Sequence, residues 1–207
     1  MKKILGLTVA AFIVIAMVSA GTWAYFSDVE SSTDNSLTGG TLDLNWNGGN
    51  DTGVATFSES NKAPGDEGTG SKTLANAGSL SGELDIAFGL ITNTGGSGGT
   101  EYEDGNGDLG GVAQIAVYLD IDQSGGWNAG DIGLKSDGST YTTGDLQYAT
   151  INSYASASWD AVQTMAVSAA DDFVIAWNIP TSATNSIQGD GISFDITFTL
   201  EQPEVDS

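Results

Sequence analysis

Strict alternation of apolar and polar residues is the feature that most constrains the fold. Three segments carry apolar residues at every second position: Leu84, Ile86, Phe88 and Leu90; Phe173, Ile175, Trp177 and Ile179; and Ile192, Phe194, Ile196, Phe198 and Leu200. A period of two is typical of strands with one buried face, whereas a helix repeats every 3.6 residues. The chain is also rich in turn-forming residues and contains 29 Gly. The pattern therefore predicts an all-β protein.

Weaker strand signals lie between these segments. They predict further strands, most of them short, at Thr41 to Trp46, Val54 to Phe57, Lys72 to Ala75, Val112 to Leu119, Ile132 to Thr143 (a hairpin) and Leu146 to Ile151. Ala63-Pro64-Gly65-Asp66 predicts a tight turn. Ser153 to Met165 fits either a short helix or a crossover. We therefore expect a single-domain, jelly-roll-like sandwich of two sheets over residues 39–202, followed by a tail at 203–207.

The N-terminus has the pattern of a secretory signal peptide. Lys2 and Lys3 precede an apolar run from Ile4 to Ala20, which we expect to be helical. Small residues offer cleavage after Ala20 or after Ala24, which would leave Tyr25 as the first mature residue. Two alternatives stay open: the segment is an uncleaved anchor, or it is a retained helix of the type IV pilin kind. We predict a signal peptide, 1–20 or 1–24, that is processed by a signal peptidase and leaves no membrane attachment.

The charge balance excludes several classes of partner and site. The chain has 27 Asp and Glu against five Lys, no Arg, no His and no Cys, and its net charge is −22. Phosphate contacts need basic side chains, so nucleic acid is not an expected partner. Disulfides and sites that need imidazole or thiolate are excluded. Losing Lys2 and Lys3 with the leader would take the net charge to −24, so we expect any assembly to depend on salt or divalent cations.

One loop has the spacing of a calcium ligand set. In the segment from Asp120 to Asp131, oxygen donors recur at loop positions 1, 3, 5, 9 and 12, with Gly at position 6. This is the spacing of an EF-hand-type loop, although strands rather than helices flank it. The candidate ligands are Asp120, Asp122, Ser124, Gly126, Asn128 and Asp131. The alternative is an acidic turn without metal.

The N-terminal part of the chain resembles a known family. The sequence GTWAYFSDVESSTDNSLTGGTLDL from Gly21 to Leu44, the turn at Ala63 to Asp66 and the segment Asn76-Ala77-Gly78-Ser79-Leu80 are similar to members of the TasA/camelysin family. The resemblance implies a protein that is secreted to the cell surface or biofilm matrix. There it would form a homopolymeric fibre or bundling pilus. By family analogy, cleavage falls after Ala24.

The resemblance also implies how the subunits join. In such fibres the mature N-terminal segment of one subunit completes a sheet of the next. Here that segment is 25–38, with Tyr25, Phe26, Val29 and Leu37 as apolar anchors of the donor strand. The alternative function is a monomeric, calcium-stabilised module that binds a glycan or matrix component. The family name carries a metallo-endopeptidase label, but the chain has no His and no H-E-x-x-H motif. From that absence we expect a protein that is not an enzyme.

Overall fold

Antiparallel strand pairing organises the protein. The structure is a computed structural model that describes residues 38–46, 56, 58–96 and 107–202. Its strands, in chain order, are β1 (Leu44–Trp46), β2 (Glu67–Asn76), β3 (Gly82–Phe88), β4 (Thr92–Thr94), β5 (Gln114–Asp120), β6 (Ile132–Leu134), β7 (Thr140–Tyr141), β8 (Ala149–Thr150), β9 (Ser158–Met165), β10 (Ala170–Asn178), β11 (Gly191–Ser193) and β12 (Ile196–Glu201).

The largest sheet has β10 at its centre. Its strand order is β1-β2-β10-β5-β6-β7, and β8 also pairs with β5. β10 pairs antiparallel with β2 from Ala170 to Asn178 and with β5 from Asp172 to Asn178. Phe173 to Trp177 are all buried, which shows that both faces of β10 are covered in this part of the strand. The strand predicted from Val112 to Leu119 is β5, which begins two residues later, at Gln114.

A second layer covers one face of this sheet. It is a three-stranded sheet of order β12-β3-β9, and a separate two-stranded sheet pairs β4 with β11. The rings of Phe173 on β10 and Phe198 on β12 are 4.8 Å apart, edge to face. The buried core spans both layers and includes Leu74, Leu84, Ile86, Phe88, Ile115, Val117, Leu119, Trp159, Met165, Phe173 and Ile175. Burying each large side chain of this kind contributes about 1.5–3 kcal/mol.

Helices are few and short in the part of the chain that the structure describes. One turn of α-helix, α1 (Leu109–Val112), and two 3₁₀ turns, Ile151–Tyr154 and Asn185–Ile187, connect the strands. Within the described ranges, none of the helices has the length and hydropathy of a membrane span.

The prediction of a β protein is confirmed, since 43% of the described residues lie in strands and 8% in helices, and the paired strands are antiparallel. The tight turn is also present: Asp66 N–H donates to the Ala63 carbonyl at 3.0 Å, and Gly65 takes a φ of +95°. The jelly-roll closure remains a prediction. The leader helix, the cleavage position and the donor strand fall in residues 1–37, which lie outside the described residues, as does the tail at 203–207.

Several expected boundaries are wrong for identifiable reasons. The helical alternative for Ser153 to Met165 fails because β9 occupies its second half. There Ala161 has a φ of +47°, and the β3–β9 register shifts between Leu84 and Ile86. This irregularity changes the side-chain alternation along β9, so the spacing in the sequence imitates a helix. Leu90, expected on a buried face, is 80% exposed because β3 ends at Phe88.

Candidate metal centre

The turn between β5 and β6 brings its two end acids together. Asp120 is the last residue of β5, and Asp131 immediately precedes β6. The two strands pair through Leu119 and Ile132, so the residues next to this pair begin and end one closed loop. Asp120 is 0% exposed and Asp131 is 1% exposed. Two carboxylates are thus buried at the base of a loop, where each needs hydrogen-bond donors or a cation.

Backbone N–H groups of the loop supply donors to both acids. Asp120 accepts from Gly125 N–H at 2.8 Å and from Ser124 N–H at 3.0 Å. Asp131 accepts from Asn128 N–H at 2.8 Å and from the N–H of Ile121 at 3.2 Å. Gly125 can turn its N–H inward because it adopts a φ of +86°, a conformation that glycine takes readily.

The third acid, Asp122, lies at the exposed mouth of the loop. Carboxylate oxygens of Asp120, Asp122 and Asp131 all fall within 4.8 Å of one another, so one ion could contact all three. Asn128 Nδ2 donates to Asp122 at 3.2 Å and to Ser124 Oγ at 2.7 Å. To act as a ligand, Asn128 would turn its amide by half a rotation and present Oδ1.

The remaining two predicted ligands lie in the same turn. Ser124 Oγ donates to the carbonyl of Gly126 at 3.1 Å. Both oxygens therefore lie near the mouth, and both are hard donors of the kind that calcium prefers. All six predicted residues are thus placed in one loop, and three of them form a group of acids that could hold a metal ion.

The electrostatics of the loop reflect its crowded negative charge. Burial raises the pKa of Asp120, although the N–H groups of Gly125 and Ser124 offset part of that effect. The hydrogen bonds from the side chains of Ser124 and Asn128 hold the pKa of Asp122 below its usual value. Burial, together with the charges of Asp120 and Asp131, raises the pKa of Tyr118 to about 12. A bound cation would lower the repulsion among these groups.

The side chains of Trp127, Tyr118 and Tyr141 pack together beside the loop and support it, and we call them the aromatic wall. The sequence did not predict this feature. Trp127 packs edge to face on Tyr118, with ring centres 5.6 Å apart, and lies 4.9 Å from the ring of Tyr141. Its indole N–H donates to the Gly144 carbonyl at 2.8 Å. Trp127 therefore attaches the loop to β5 and to the β6–β7 hairpin. The available signal was an aromatic residue inside an otherwise polar loop.

A second acidic group lies on the smaller sheet. Carboxylate oxygens of Asp85 on β3, Asp160 on β9 and Glu201 on β12 also come within 4.8 Å of one another. Asp85 accepts from Ala161 N–H at 2.8 Å, and the other two acids are exposed. Sequence reasoning missed this group because strand pairing joins positions that are more than seventy residues apart in the chain.

Together the fold and the loop define an acidic, antiparallel β-sheet protein with a cluster of carboxylates that could hold a metal ion. Residues 1–207 match the family model described as camelysin metallo-endopeptidase, and the chain belongs to that family. The resemblance to the TasA/camelysin family is thereby confirmed. The family is associated with the cell surface and the extracellular space. A search of curated proteins finds no match to the chain.

The expectation that the protein is not an enzyme is wrong. The family description names a metallo-endopeptidase and so points to a peptidase. The metal that this description implies has to be tested against the donors available. With no His and no Cys in the sequence, these are carboxylate, amide, hydroxyl and carbonyl oxygens. Such donors fit a hard cation such as Ca²⁺ and do not fit a histidine-ligated zinc.

Proposed function

We propose that the protein is a structural subunit of an extracellular fibre or bundling pilus of a biofilm matrix. Its subunits would polymerise by donor-strand complementation. The match to the camelysin family over residues 1–207, together with the resemblance carried by Gly21 to Leu44, is the observation that carries this proposal. The edge of β2 is the candidate acceptor, because β10 pairs with Glu67 to Ala75 on one side and β1 pairs with Leu74 to Asn76 on the other. The residues that follow β1, 47–55, lie outside the described ranges. We expect the added strand to pair along Glu67 to Lys72, an edge of about 20 Å.

The donor would be the segment from Tyr25 to Leu37, freed when a signal peptidase removes the leader. Its apolar anchors are Tyr25, Phe26, Val29 and Leu37, and its C-terminal part is polar. Main-chain hydrogen bonds would supply much of the affinity, and the anchors would set the register. Before cleavage, the apolar leader would hold this segment at the membrane, so cleavage would start assembly.

Electron microscopy of the mature protein, residues 25–207, tests the proposal. We expect filaments from this protein and none from a variant that lacks 25–37. A synthetic peptide of residues 25–37, added in excess, should cap the acceptor edge and stop elongation. The control is the same peptide with Phe26→Asp and Val29→Asp, which should not cap. Filaments that persist without residues 25–37 would show that another surface joins the subunits.

We further propose that the loop from Asp120 to Asp131 binds calcium and stabilises the subunit. Carboxylate oxygens of Asp120, Asp122 and Asp131 lie within 4.8 Å of one another, and the nearest basic residue in sequence, Lys135, has its Nζ over the ring of Tyr141 instead. Sedimentation tests the alternative function. If the mature protein stays monomeric with and without calcium, a calcium-stabilised surface module becomes the better description.

The family description favours a second function, metal-dependent peptide hydrolysis. Among the described residues, two acidic groups could hold the metal, and two single substitutions separate them. We expect any cleavage of a denatured protein substrate to stop with a chelator. If Asp122→Asn abolishes the cleavage and Asp160→Asn does not, the loop is the metal site. The reverse result assigns the activity to the smaller sheet, and an absence of cleavage at every calcium concentration counts against this function.

A further inference from the structure

The chain is fastened to the turn after β2 just before it enters β1. Residues 40–43 lie against residues 76–80, and we name these two segments together the N-terminal clasp. The clasp includes the segment Asn76-Ala77-Gly78-Ser79-Leu80. This segment belongs neither to the metal loop nor to the β2 edge proposed as the acceptor. It lies two residues downstream of the segment proposed as the donor.

Five hydrogen bonds close the clasp. The carbonyl of Thr41 accepts from Ser79 N–H at 2.8 Å and from Leu80 N–H at 3.1 Å. Thr41 N–H donates to Ser79 Oγ at 2.9 Å, and the two hydroxyl oxygens are 3.5 Å apart. The carbonyl of Asp43 accepts from the N–H of Ala77 at 2.7 Å. Residues 40–43 are thus bonded to the body of the subunit before β1 begins.

Two glycines allow the segments to approach this closely. A Cβ atom at Gly78 would lie 2.4 Å from the Thr41 carbonyl oxygen and 2.8 Å from Asp43 N. A Cβ at Gly40 would lie 2.4 Å from the side chain of Leu80. The contacts at Gly78 are with backbone atoms, which cannot move aside as a flexible side chain can. Any larger residue at position 78 must therefore push the clasp apart.

Asn76 connects the clasp to the interior. It is 1% exposed, and its side chain makes three hydrogen bonds. Nδ2 donates to the carbonyls of Leu80 at 2.8 Å and Met165 at 3.0 Å, and Oδ1 accepts from Gly78 N–H at 2.9 Å. One amide therefore shapes the turn that grips the N-terminal segment and ties it to the end of β9.

We propose that the N-terminal clasp is the joint that carries tension between the subunits of the fibre. This inference rests on the proposed donor-strand function. When a neighbouring subunit holds residues 25–37, tension on the fibre enters each subunit through residue 39. The clasp passes that tension to β2 and, through Asn76, to β9. Without it, the load would fall on the three-residue strand β1, which would peel from β2 one pair at a time.

The variants Gly78→Ala and Gly39→Ala form a matched test. Gly39 has nothing within 4 Å of a Cβ position, so its substitution leaves the clasp intact. In Gly78→Ala, we expect amide exchange at Ala77, Ser79 and Leu80 to quicken by about tenfold or more, while exchange in β10 is unchanged. Filaments of Gly78→Ala should break about threefold faster under sonication than filaments of Gly39→Ala, because forced rupture follows the opening rate. Ser79→Ala, a milder change, should lie between them.

A pair of cysteines provides a test in the other direction. Because Thr41 and Ser79 hydroxyls are 3.5 Å apart, Thr41→Cys with Ser79→Cys should form a disulfide in a chain with no other cysteine. Oxidised filaments should resist sonication longer than the same filaments after reduction. Equal breakage in both states, or equal breakage of Gly78→Ala and Gly39→Ala, overturns the mechanical role of the clasp alone. Failure of the unmodified mature protein to form filaments overturns both this inference and the proposed function.

Discussion

The two acidic groups that could hold a metal ion differ in how the fold supports them. In the loop, Asp120 and Asp131 are buried and each accepts two backbone N–H groups from residues of the same turn. On the smaller sheet, Asp160 and Glu201 are exposed, and Asp85 accepts a single N–H at 2.8 Å. Each group therefore places three acids within reach of one ion. The loop encloses its two buried acids with backbone donors, and that enclosure makes it the better candidate for a selective site.

Removing the side chain of Asp131, a buried acid of the loop, should have the largest effect on the stability of the protein. Asp131→Ala removes the acceptor for the N–H groups of Ile121 and Asn128 and leaves both without a partner. We expect the free energy of unfolding to fall by about 2–4 kcal/mol, measured by urea denaturation without calcium. Asp160→Ala on the sheet should change it by less than about 0.5 kcal/mol. If both substitutions lowered the free energy of unfolding equally, the loop would support its acids no better than the sheet does.

A further buried acid shows the effect of burial on a carboxylate oxygen that has no hydrogen-bond partner among the described residues. Asp171 on β10 is 4% exposed, and its Oδ2 has no partner among the described residues. Burial, with the charge of Asp172, raises its pKa to about 6. Since the folded pKa lies above the unfolded value near 4, the charged form destabilises the fold. That penalty is fully present above pH 6 and disappears as pH falls towards 4.

Asp171→Asn should therefore stabilise the protein at pH 7, by about 2–3 kcal/mol at most. In the unmodified protein, stability should rise as pH falls from 7 to about 4.5, and the variant should lose this rise. Denaturation at five pH values measures both. A stability loss in the variant at pH 7 would indicate that Asp171 has a partner that its burial conceals.

Calcium should distinguish the loop from the sheet group. For a site of modest affinity, 10 mM Ca²⁺ should raise the free energy of unfolding by about 1–2 kcal/mol. Asp122→Asn, at the exposed mouth, should remove most of this gain with little effect on the calcium-free protein. Asp160→Asn should leave the gain unchanged. A gain lost in Asp160→Asn but kept in Asp122→Asn would move the site to the smaller sheet.

The aromatic wall gives the smallest expected effect. Trp127→Phe keeps the ring contacts with Tyr118 and Tyr141 but loses the hydrogen bond to Gly144. We expect a loss of about 0.5–1.5 kcal/mol in stability. If the wall positions the loop, calcium affinity should fall in the same variant, as isothermal calorimetry would measure. An unchanged affinity would show that the turn holds its shape without the wall.

Local patterns in the sequence predicted those parts of the structure that are local. The loop from Asp120 to Asp131 was found because its donors are neighbours in sequence and Gly125 marks the reversal. β3, β10 and the β6–β7 hairpin followed from alternation and turn residues. Each of these features depends on fewer than about fifteen consecutive residues, so no long-range information was needed.

Features that depend on strand pairing could not be predicted in this way. Asp85, Asp160 and Glu201 meet only because β3 pairs with both β9 and β12. The burial of Asp171 depends on its place in β10, beside Leu74 of β2. β9 was hidden because the positive φ of Ala161 breaks its alternation. The length of β2 was underestimated because Gly68 and Gly70, which no strand propensity favours, lie within it.

The small number of lysines available to pair with acids has a consequence for the material that this protein would form. Lys62 binds Glu59 at 2.8 Å and lies over the ring of Trp177, and this is the one ion pair in the described ranges. Almost all of the 27 acids therefore take their counter-charge from the medium. A matrix built from such subunits would behave as a cation-exchange gel. It would concentrate divalent ions from dilute surroundings, and it would swell as those ions are replaced by monovalent ones.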